Sequence, residues 1–235
     1  MLPNMRLKLA APRRPLDREG VFLDCGRRRP QLKRDPLGRH SMVCVEVRLD
    51  GALFRTVGIK DASLITPILS GFVGDETPAR LSLRGMCDLL AARAAHVYWG
   101  PDELELKTGT EVTFRFTTCG SPTPPERIVP TDSSAYIDEQ REFEAYKKSF
   151  VPDTSPSPRI FPELAFHCRV NGKAATVATL NPSEEHLLCS LCWDKWHPDR
   201  VFVSVRSFGK DHSAKTEWFR EHLALGDELA IRVAA

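Results

Sequence analysis

The 235-residue sequence lacks long hydrophobic runs and regularly spaced cysteines. No stretch reaches the roughly 18 apolar residues that a membrane-spanning helix needs, and its first residues lack the apolar segment of a secretory signal. The seven cysteines are odd in number and irregularly spaced, so we expect no disulfide framework. These absences exclude a helical membrane protein and favour a location in the reducing cytoplasm.

The sequence also lacks the short motifs that carry common chemistries. The nucleophile elbow of α/β-hydrolases, the glycine-rich turn of dinucleotide-binding folds and the phosphate-binding loop are all missing. The seven histidines form no His-Glu-x-x-His motif. We therefore predict a protein that is not an enzyme and that holds no cofactor and no metal.

Cys189 and Cys192 form a Cys-x-x-Cys pair, and His197 follows shortly after. Thiolates and imidazoles are zinc ligands, and His186 or Cys168 would be the fourth. However, the pair falls in an apolar segment that we predict to be helical, where cysteine packs as a small hydrophobic residue. We interpret both cysteines as core residues, and the sequence leaves open whether they bind a metal.

Positive charge is concentrated at the start of the chain. Residues 1–40 carry eleven Lys or Arg against four Asp or Glu, a net charge of +7, whereas the remaining residues carry 22 against 27, a net charge of −5. The basic segment shows neither helical nor strand periodicity. We interpret residues 1–41 as a disordered leader, with a nucleic-acid-binding arm as the alternative, and Met42 as a natural start of the native chain.

The rest of the chain contains two segments of about 75 residues with the same pattern. Each begins with an alternating strand before an Asx-Gly pair, Asp50-Gly51 and Asn171-Gly172, which is the strongest short signal for a β-hairpin. Each ends with the pattern Leu-x-x-Gly-polar-Glu-apolar-x-apolar-Arg-apolar, in which Gly109 and Gly226 are expected to adopt positive φ in a tight turn. This order of elements predicts a duplication.

Between these ends, each segment is predicted to contain two helices. The first helices span 61–72 and 181–193, and the second of these has Asn181 at the N-cap and Glu184 as its capping-box partner. An alternating strand follows each helix, and a tryptophan then comes near a second helical stretch. The fold class is therefore α+β: two tandem β-β-α-β-α-β units with mostly antiparallel sheets.

A proline-rich linker joins the two units. We assign residues 42–118 to the first unit, 119–160 to the linker and 161–235 to the second unit. A helix over about 134–150 lies in the linker, because four aromatic side chains fall on one helical stripe: Tyr136, Phe143, Tyr146 and Phe150.

Two surfaces are candidates for binding a partner. Acidic residues lie off the aromatic stripe of the linker helix, and they form either a solvated face or a surface for a basic partner: Asp138, Glu139 and Glu142. The second surface is a tryptophan-containing loop between two elements, which is either a recognition patch or a cap on the core: Trp193, Asp194, Trp196 and His197.

The two closing patterns, each preceded by a tryptophan, give the only family resemblance. Residues 42–118 and 161–235 resemble, in pattern, small uncharacterised bacterial cytosolic proteins, some of which resemble immunity proteins that neutralise toxins of competing bacteria. The resemblance implies a protein that inhibits a toxin by binding it, and it implies no functional residue.

We therefore predict a non-enzymatic protein-binding module, an immunity or antitoxin protein that forms a stoichiometric complex with a cognate toxin. We expect no membrane partner and no nucleic acid. The alternative is an enzyme or ligand-binding protein with a site between the two units, for which the candidate residues are His167, Cys192, His197 and Glu228.

Overall fold

The computed structural model describes residues 42–89, 93–149, 158–211 and 213–235. The predicted leader, 1–41, and Phe150 lie outside them. We call residues 42–149 the first half and residues 158–235 the second half. The first half contains β1 (Met42–Leu49), β2 (Ala52–Val57), β3 (Ala62–Phe72), β4 (Ala79–Leu89), β5 (Arg93–Tyr98), β6 (Leu104–Leu106), β7 (Glu111–Cys119), β8 (Arg127–Pro130) and α1 (Ser134–Ser149). The second half contains β9 (Ala165–Val170), β10 (Lys173–Thr179), β11 (Glu184–Asp194), β12 (Arg200–Gly209), β13 (Ala214–Ala224) and β14 (Glu228–Ala234).

These strands form two antiparallel sheets, and each sheet takes strands from both halves. The six-stranded sheet has the order β10-β9-β14-β7-β1-β2, and the eight-stranded sheet has the order β13-β12-β11-β3-β4-β5-β8, with β6 paired to β4. The halves meet at β14 and β7 in one sheet and at β11 and β3 in the other. Reading outwards from these pairs gives the same succession of strands in both halves as far as β5 and β13, which relates the halves by a pseudo-twofold in topology, and the first half adds β6 and β8.

Two glycine turns connect the halves reciprocally. The Gly109 N–H donates to the carbonyl oxygen of Val233 at 2.8 Å, and the Gly226 N–H donates to that of Phe116 at 2.7 Å. Both glycines have positive φ, 90° and 101°, which confirms the predicted tight turns. Because each turn bonds the strand at the centre of the sheet that the opposite half contributes, β14 or β7, the six-stranded sheet depends on both halves.

The two predicted hairpins are also confirmed. Asp50 and Gly51 have φ values of 49° and 82°, and Asn171 and Gly172 have values of 50° and 75°, as a type I′ turn requires. Each Asx side chain accepts a hydrogen bond from the backbone of the closing strand in its own half. These bonds join Asp50 Oδ1 to the Glu111 N–H at 2.8 Å and Asn171 Oδ1 to the Glu228 N–H at 2.9 Å.

The predicted β-β-α-β-α-β fold is wrong, because the short helices are strands. Residues 61–72 fall mainly in β3 and residues 181–193 in β11, and the second helical stretches correspond to β5 and β13. Along β3, Ile65 and Leu69 face the core while Leu64 and Thr66 lie on the outer face, which is the two-residue period of a strand. A short apolar run with β-branched residues fits both periods, and here the strand is formed.

The helix-start signal at Asn181 belongs to a turn that leads into β11. Glu184 accepts a hydrogen bond from the Asn181 N–H at 2.8 Å, as in a capping box. Its other carboxylate oxygen accepts bonds from the Ser207 hydroxyl at 2.7 Å and the Thr216 hydroxyl at 2.9 Å. The signal therefore predicted the local hydrogen bond correctly and the following element wrongly.

One hydrophobic core lies between the sheets. Its largest fully buried side chains come from both sheets and both halves, and include Trp99, Phe114, Phe166 and Leu191. Burying a side chain of this size contributes about 1.5–3 kcal/mol. The core is the main source of stability in the described part of the chain.

One disulfide bond joins neighbouring strands of the six-stranded sheet. It links Cys44 on β1 to Cys119 at the end of β7, with their Cα atoms 6.0 Å apart. The other four cysteines of the described residues are free thiols. Two of the six described cysteines are therefore oxidised to one bond, which the expectation of reduced cysteines did not include.

Candidate functional site

The loop between β11 and β12 is the candidate functional site, which we call the Trp196 loop (residues 194–199). Asp194 holds it in shape, because its Oδ1 accepts hydrogen bonds from the Trp196 N–H at 2.9 Å and the His197 N–H at 3.0 Å. The His197 ring nitrogen Nδ1 lies 3.0 Å from the same oxygen. This pattern of an aspartate bonding the following backbone is an Asx turn, which limits the conformational freedom of the loop.

Trp196 points outwards from this loop with 73% of its surface exposed. Next to it, Lys195 forms an ion pair with Asp88 on β4 and places its Nζ 5.3 Å from the centre of the Trp196 ring. The Lys195 N–H also donates to the carbonyl oxygen of Ser63 at 3.2 Å. The loop is thus attached to β3 and β4, and an exposed indole is held at a fixed place on the surface.

Trp193 does not share this surface. Its side chain is only 6% exposed and packs in the core, and its Nε1–H donates to the carbonyl oxygen of Pro198 at 3.4 Å. This hydrogen bond links the Trp196 loop to the buried side chain of Trp193. Of the predicted tryptophan pair, only Trp196 is available to a partner.

The predicted acidic helix, α1, begins at the same end of the eight-stranded sheet as the Trp196 loop. Asp88 on β4, which forms the ion pair with Lys195, lies opposite Ala94 on β5. The carbonyl oxygen of Ala94 accepts a hydrogen bond at 3.0 Å from the N–H of Thr131, three residues before α1 begins. Further along α1, the Tyr136 ring stacks on His96 of β5 with their centres 5.0 Å apart. The segment that leads into α1 therefore lies at the Trp196-loop end of the sheet, and α1 runs from there past His96 on β5.

The acidic face of α1 is exposed but partly neutralised. Asp138 lies 3.3 Å from Arg141, while Glu142 is exposed and Glu139 is half-buried beside His96. Burial lowers the pKa of His96, and Arg84 lowers it further, while Glu139 opposes the shift. No residue of α1 is buried, so its described aromatic side chains do not enter the core, and Tyr136 contacts the sheet at His96.

The Cys-x-x-Cys pair does not form a site. Cys189 faces the core and is fully buried, whereas Cys192 lies on the outer face of the same strand. Residues three apart share one face of a helix but lie on opposite faces of a strand. Burial raises the pKa of both thiols, so they are protonated and poorly reactive. Within the described residues, no group of three or more His, Cys, Asp or Glu side chains could hold a metal ion.

The candidate residues of the enzyme hypothesis lie on different sheets. His167 and Glu228 belong to β9 and β14 of the six-stranded sheet, whereas Cys192 and His197 belong to β11 and the Trp196 loop at the eight-stranded sheet. A pocket of about 300 Å³ is lined by Phe72, Gly74, Asp75 and Glu185 among others. None of the four candidate catalytic residues lines this pocket.

Sequence reasoning missed three polar features of the fold. These are the bonds of the buried Glu184 carboxylate to Ser207 and Thr216, the Cys44–Cys119 bond, and the outer edge of β10, which no described strand pairs. The capping signal at Asn181 indicated a bond to Glu184, but the two hydroxyl partners come from distant strands. The cysteine spacing carried no signal for the bond, because β1 and β7 pair across 75 residues of sequence.

The chain matches no known protein-family model, and no curated protein or solved structure is significantly similar to it. Among the described residues, no helix combines the length and the apolar character needed to cross a membrane.

Proposed function

We propose that this chain is a non-enzymatic module that binds another protein, and that Trp196 anchors the partner. The observation that carries the proposal is the 73% exposure of a tryptophan on a loop held by hydrogen bonds. Exposing a large apolar side chain to water is unfavourable, and covering it on binding recovers that free energy. Since the loop is already ordered, little conformational entropy is lost when the partner binds.

The partner class that we propose is a toxin, which the chain neutralises by forming a stoichiometric complex. The pattern resemblance to immunity proteins and the net charge of −5 outside the first 40 residues support this class. Asp138 and Glu142 on α1 add exposed carboxylates to this negative charge. Such charges steer a basic partner towards the binding surface and accelerate association.

A cytoplasmic location belongs to the same proposal, and the Cys44–Cys119 bond argues against it. Disulfide bonds are rare in the reducing cytoplasm and common in oxidising compartments. The oxidation state of these two cysteines in the native host therefore tests the location directly.

The proposal is tested by affinity capture from the native host with the tagged full-length chain. We expect one stoichiometric partner, a basic protein encoded beside this chain, whose toxicity is suppressed by co-expression. Trp196→Ala should abolish the capture, while Leu53→Ala, which truncates another exposed apolar residue (58% exposed) on β2, should retain it. A neighbouring protein that is neither bound nor neutralised, or that is bound equally by Trp196→Ala, would contradict the proposal.

A further inference from the structure

The two outer strands of the six-stranded sheet, β2 and β10, differ in how their edges are covered. The outer edge of β2 is covered at Thr56. Its N–H donates to the Thr123 hydroxyl at 2.9 Å, and its carbonyl oxygen accepts the Thr123 N–H at 2.9 Å. Arg55 next to it forms an ion pair with Glu126 at 3.0 Å. An extended segment, residues 123–130, therefore closes this edge.

The same segment satisfies a buried indole in the first half. The Nε1–H of Trp99 donates to the Thr123 carbonyl oxygen at 3.1 Å, and the Glu126 N–H donates to the carbonyl oxygen of Tyr98 at 2.8 Å. Its last residues form β8, which pairs with β5. One extended segment thus bonds the edges of both sheets in the first half.

Val177 is the counterpart of Thr56 in the second half. Thr56 pairs with Glu46 on β1, and Val177 pairs with His167 on β9 at the same distance from an identical type I′ turn. A bulge occurs at the same place in both hairpins. The backbone N–H and C=O of Val177 therefore point away from the sheet, as those of Thr56 do.

The described residues supply no counterpart to Thr123 at this edge. No hydrogen bond to Val177 is formed across the free edge of β10 by any of them, and the Val177 side chain is 49% exposed. Residues 174–179 contain neither a charged residue nor a proline. Charges and prolines are the usual means of protecting a strand edge from pairing. Lys173 is the single charged residue of β10, so beyond it no described residue protects this edge from another strand.

A second observation points to the same side of the molecule. The Nε1–H of Trp218, on β13, is buried and has no hydrogen-bond partner in the described residues. Trp218 lies at a bulge next to Phe219. Phe219 pairs with Val205 on β12, and in the first half the Trp99 N–H bonds to the corresponding Leu83 on β4. Strand β13 approaches β10 without pairing with it. A buried donor without an acceptor destabilises the fold, and Trp99 has an acceptor because residues 123–130 provide one.

We propose that the edge formed by β10 and β13 binds an extended peptide segment of a partner protein by strand addition. The segment bonds the backbone N–H and C=O of Val177 and supplies a carbonyl oxygen to the Trp218 indole, as residues 123–130 do in the first half. Backbone hydrogen bonds give such a complex its affinity. The inference shares with the proposed function that the partner is a protein, but it uses a surface other than the Trp196 loop.

The probe for the test is a synthetic peptide with the sequence of residues 120–131, the segment that occupies the corresponding place in the first half. It is titrated into the full-length chain labelled with nitrogen-15. We expect shifts of the Val177 amide signal and of the Trp218 indole signal, the latter identified by its absence in Trp218→Phe.

Val177→Pro removes the outward N–H without removing a bond to β9, and should weaken peptide binding at least about tenfold. Val177→Thr keeps the N–H and is the matched control, with an affinity within about twofold of the wild type.

Unchanged Val177 and Trp218 signals at millimolar peptide would contradict the inference, as would equal affinity of Val177→Pro and the wild type. Signals that shift with protein concentration alone would assign the edge to a second copy of the chain and would also overturn it. Trp196→Ala keeps the peptide site intact. A loss of the toxin partner in Trp196→Ala, together with normal peptide binding, separates the proposed function from this inference.

Discussion

The two halves of the molecule have the same strand succession but are stabilised by different interactions. In the first half, a disulfide bond joins Cys44 to Cys119, and the Thr123 carbonyl oxygen accepts a hydrogen bond from the Trp99 indole. The second half instead contains the buried carboxylate of Glu184, with Ala62 at the corresponding position on β3, and its Trp218 indole N–H has no hydrogen-bond partner among the described residues. A duplicated fold thus tolerates different local solutions, and the half with fewer closing interactions is the half with an open edge.

The largest effect that separates the halves is expected from their tryptophans. Trp99→Ala removes a fully buried side chain and its hydrogen bond to Thr123, and should lower the free energy of unfolding by about 3–5 kcal/mol. Trp218→Ala removes a partly buried side chain that has no hydrogen bond, so its loss should be clearly smaller. Urea denaturation measures both values, and equal losses would contradict the comparison.

The disulfide bond is expected to have the next largest effect. Cys119→Ser removes the bond between two cysteines that are 75 residues apart in sequence. It should lower the free energy of unfolding by about 2–4 kcal/mol under oxidising conditions. The control is reduction of the wild type, which should give the stability of the variant, while reductant should leave the variant unchanged. A wild type insensitive to reductant would show that the first half does not depend on this bond.

Glu184 provides a pH-dependent contribution, and Ala62 at the corresponding position of the first half has no ionisable side chain. Burial raises its pKa, but hydrogen bonds from Asn181, Ser207 and Thr216 outweigh that effect and hold the pKa below the ordinary 4.5. A lowered pKa means that the stabilisation is fully present above pH 4.5 and is lost as the pH falls through the folded-state pKa.

Glu184→Gln should therefore lower the free energy of unfolding by about 1–3 kcal/mol at neutral pH, and this loss should shrink on acidification below pH 4.5. Glu185→Gln, at the half-buried neighbouring position, is the control and should stay within about 0.5 kcal/mol of the wild type. A difference between Glu184→Gln and the wild type that does not depend on pH would refute this role.

The smallest effect concerns two corresponding arginines on the outer face of the eight-stranded sheet. Arg206 pairs with Glu217 at 2.9 Å, whereas Arg84 faces Tyr98 across the strands and donates to the Ser82 hydroxyl at 3.2 Å. Burial lowers the pKa of Arg84, which means that its charge is disfavoured there.

Arg206→Met should cost at most about 1 kcal/mol, and less in high salt, while Arg84→Met should cost nothing or stabilise. Thermal unfolding at low and high salt distinguishes these outcomes. A larger loss for Arg84→Met than for Arg206→Met would reverse the comparison.

The parts of the fold that could be predicted from sequence are those set by local backbone chemistry. The Asx-Gly pairs at Asp50 and Asn171 require positive φ, and few residues other than Gly, Asn and Asp adopt it. The helix now seen at Ser134–Ser149 was predicted within one residue at its carboxyl end, because its aromatic residues recur at a helical period and no strand period competes.

The errors arose where the same residues fit two structures. Asn181 and Glu184 form the same hydrogen bond in a helix cap and in a turn before a strand, so the local signal did not decide the next element. A helix over this segment would also put Cys189 and Cys192 on one face, whereas in β11 they lie on opposite faces. The exposure of Trp196 and the burial of Trp193 follow from the alternation along β11 and the turn after it, which the helical assignment concealed.

The most direct test of the central claim is the affinity of the purified neighbouring protein for three forms of the full-length chain, measured by titration calorimetry. The wild type and Leu53→Ala should bind with a stoichiometry of one and equal affinity. Trp196→Ala should bind at least about 30-fold more weakly, which corresponds to an anchor residue of about 2 kcal/mol. Equal affinity of all three forms would show that the Trp196 loop is not the binding surface.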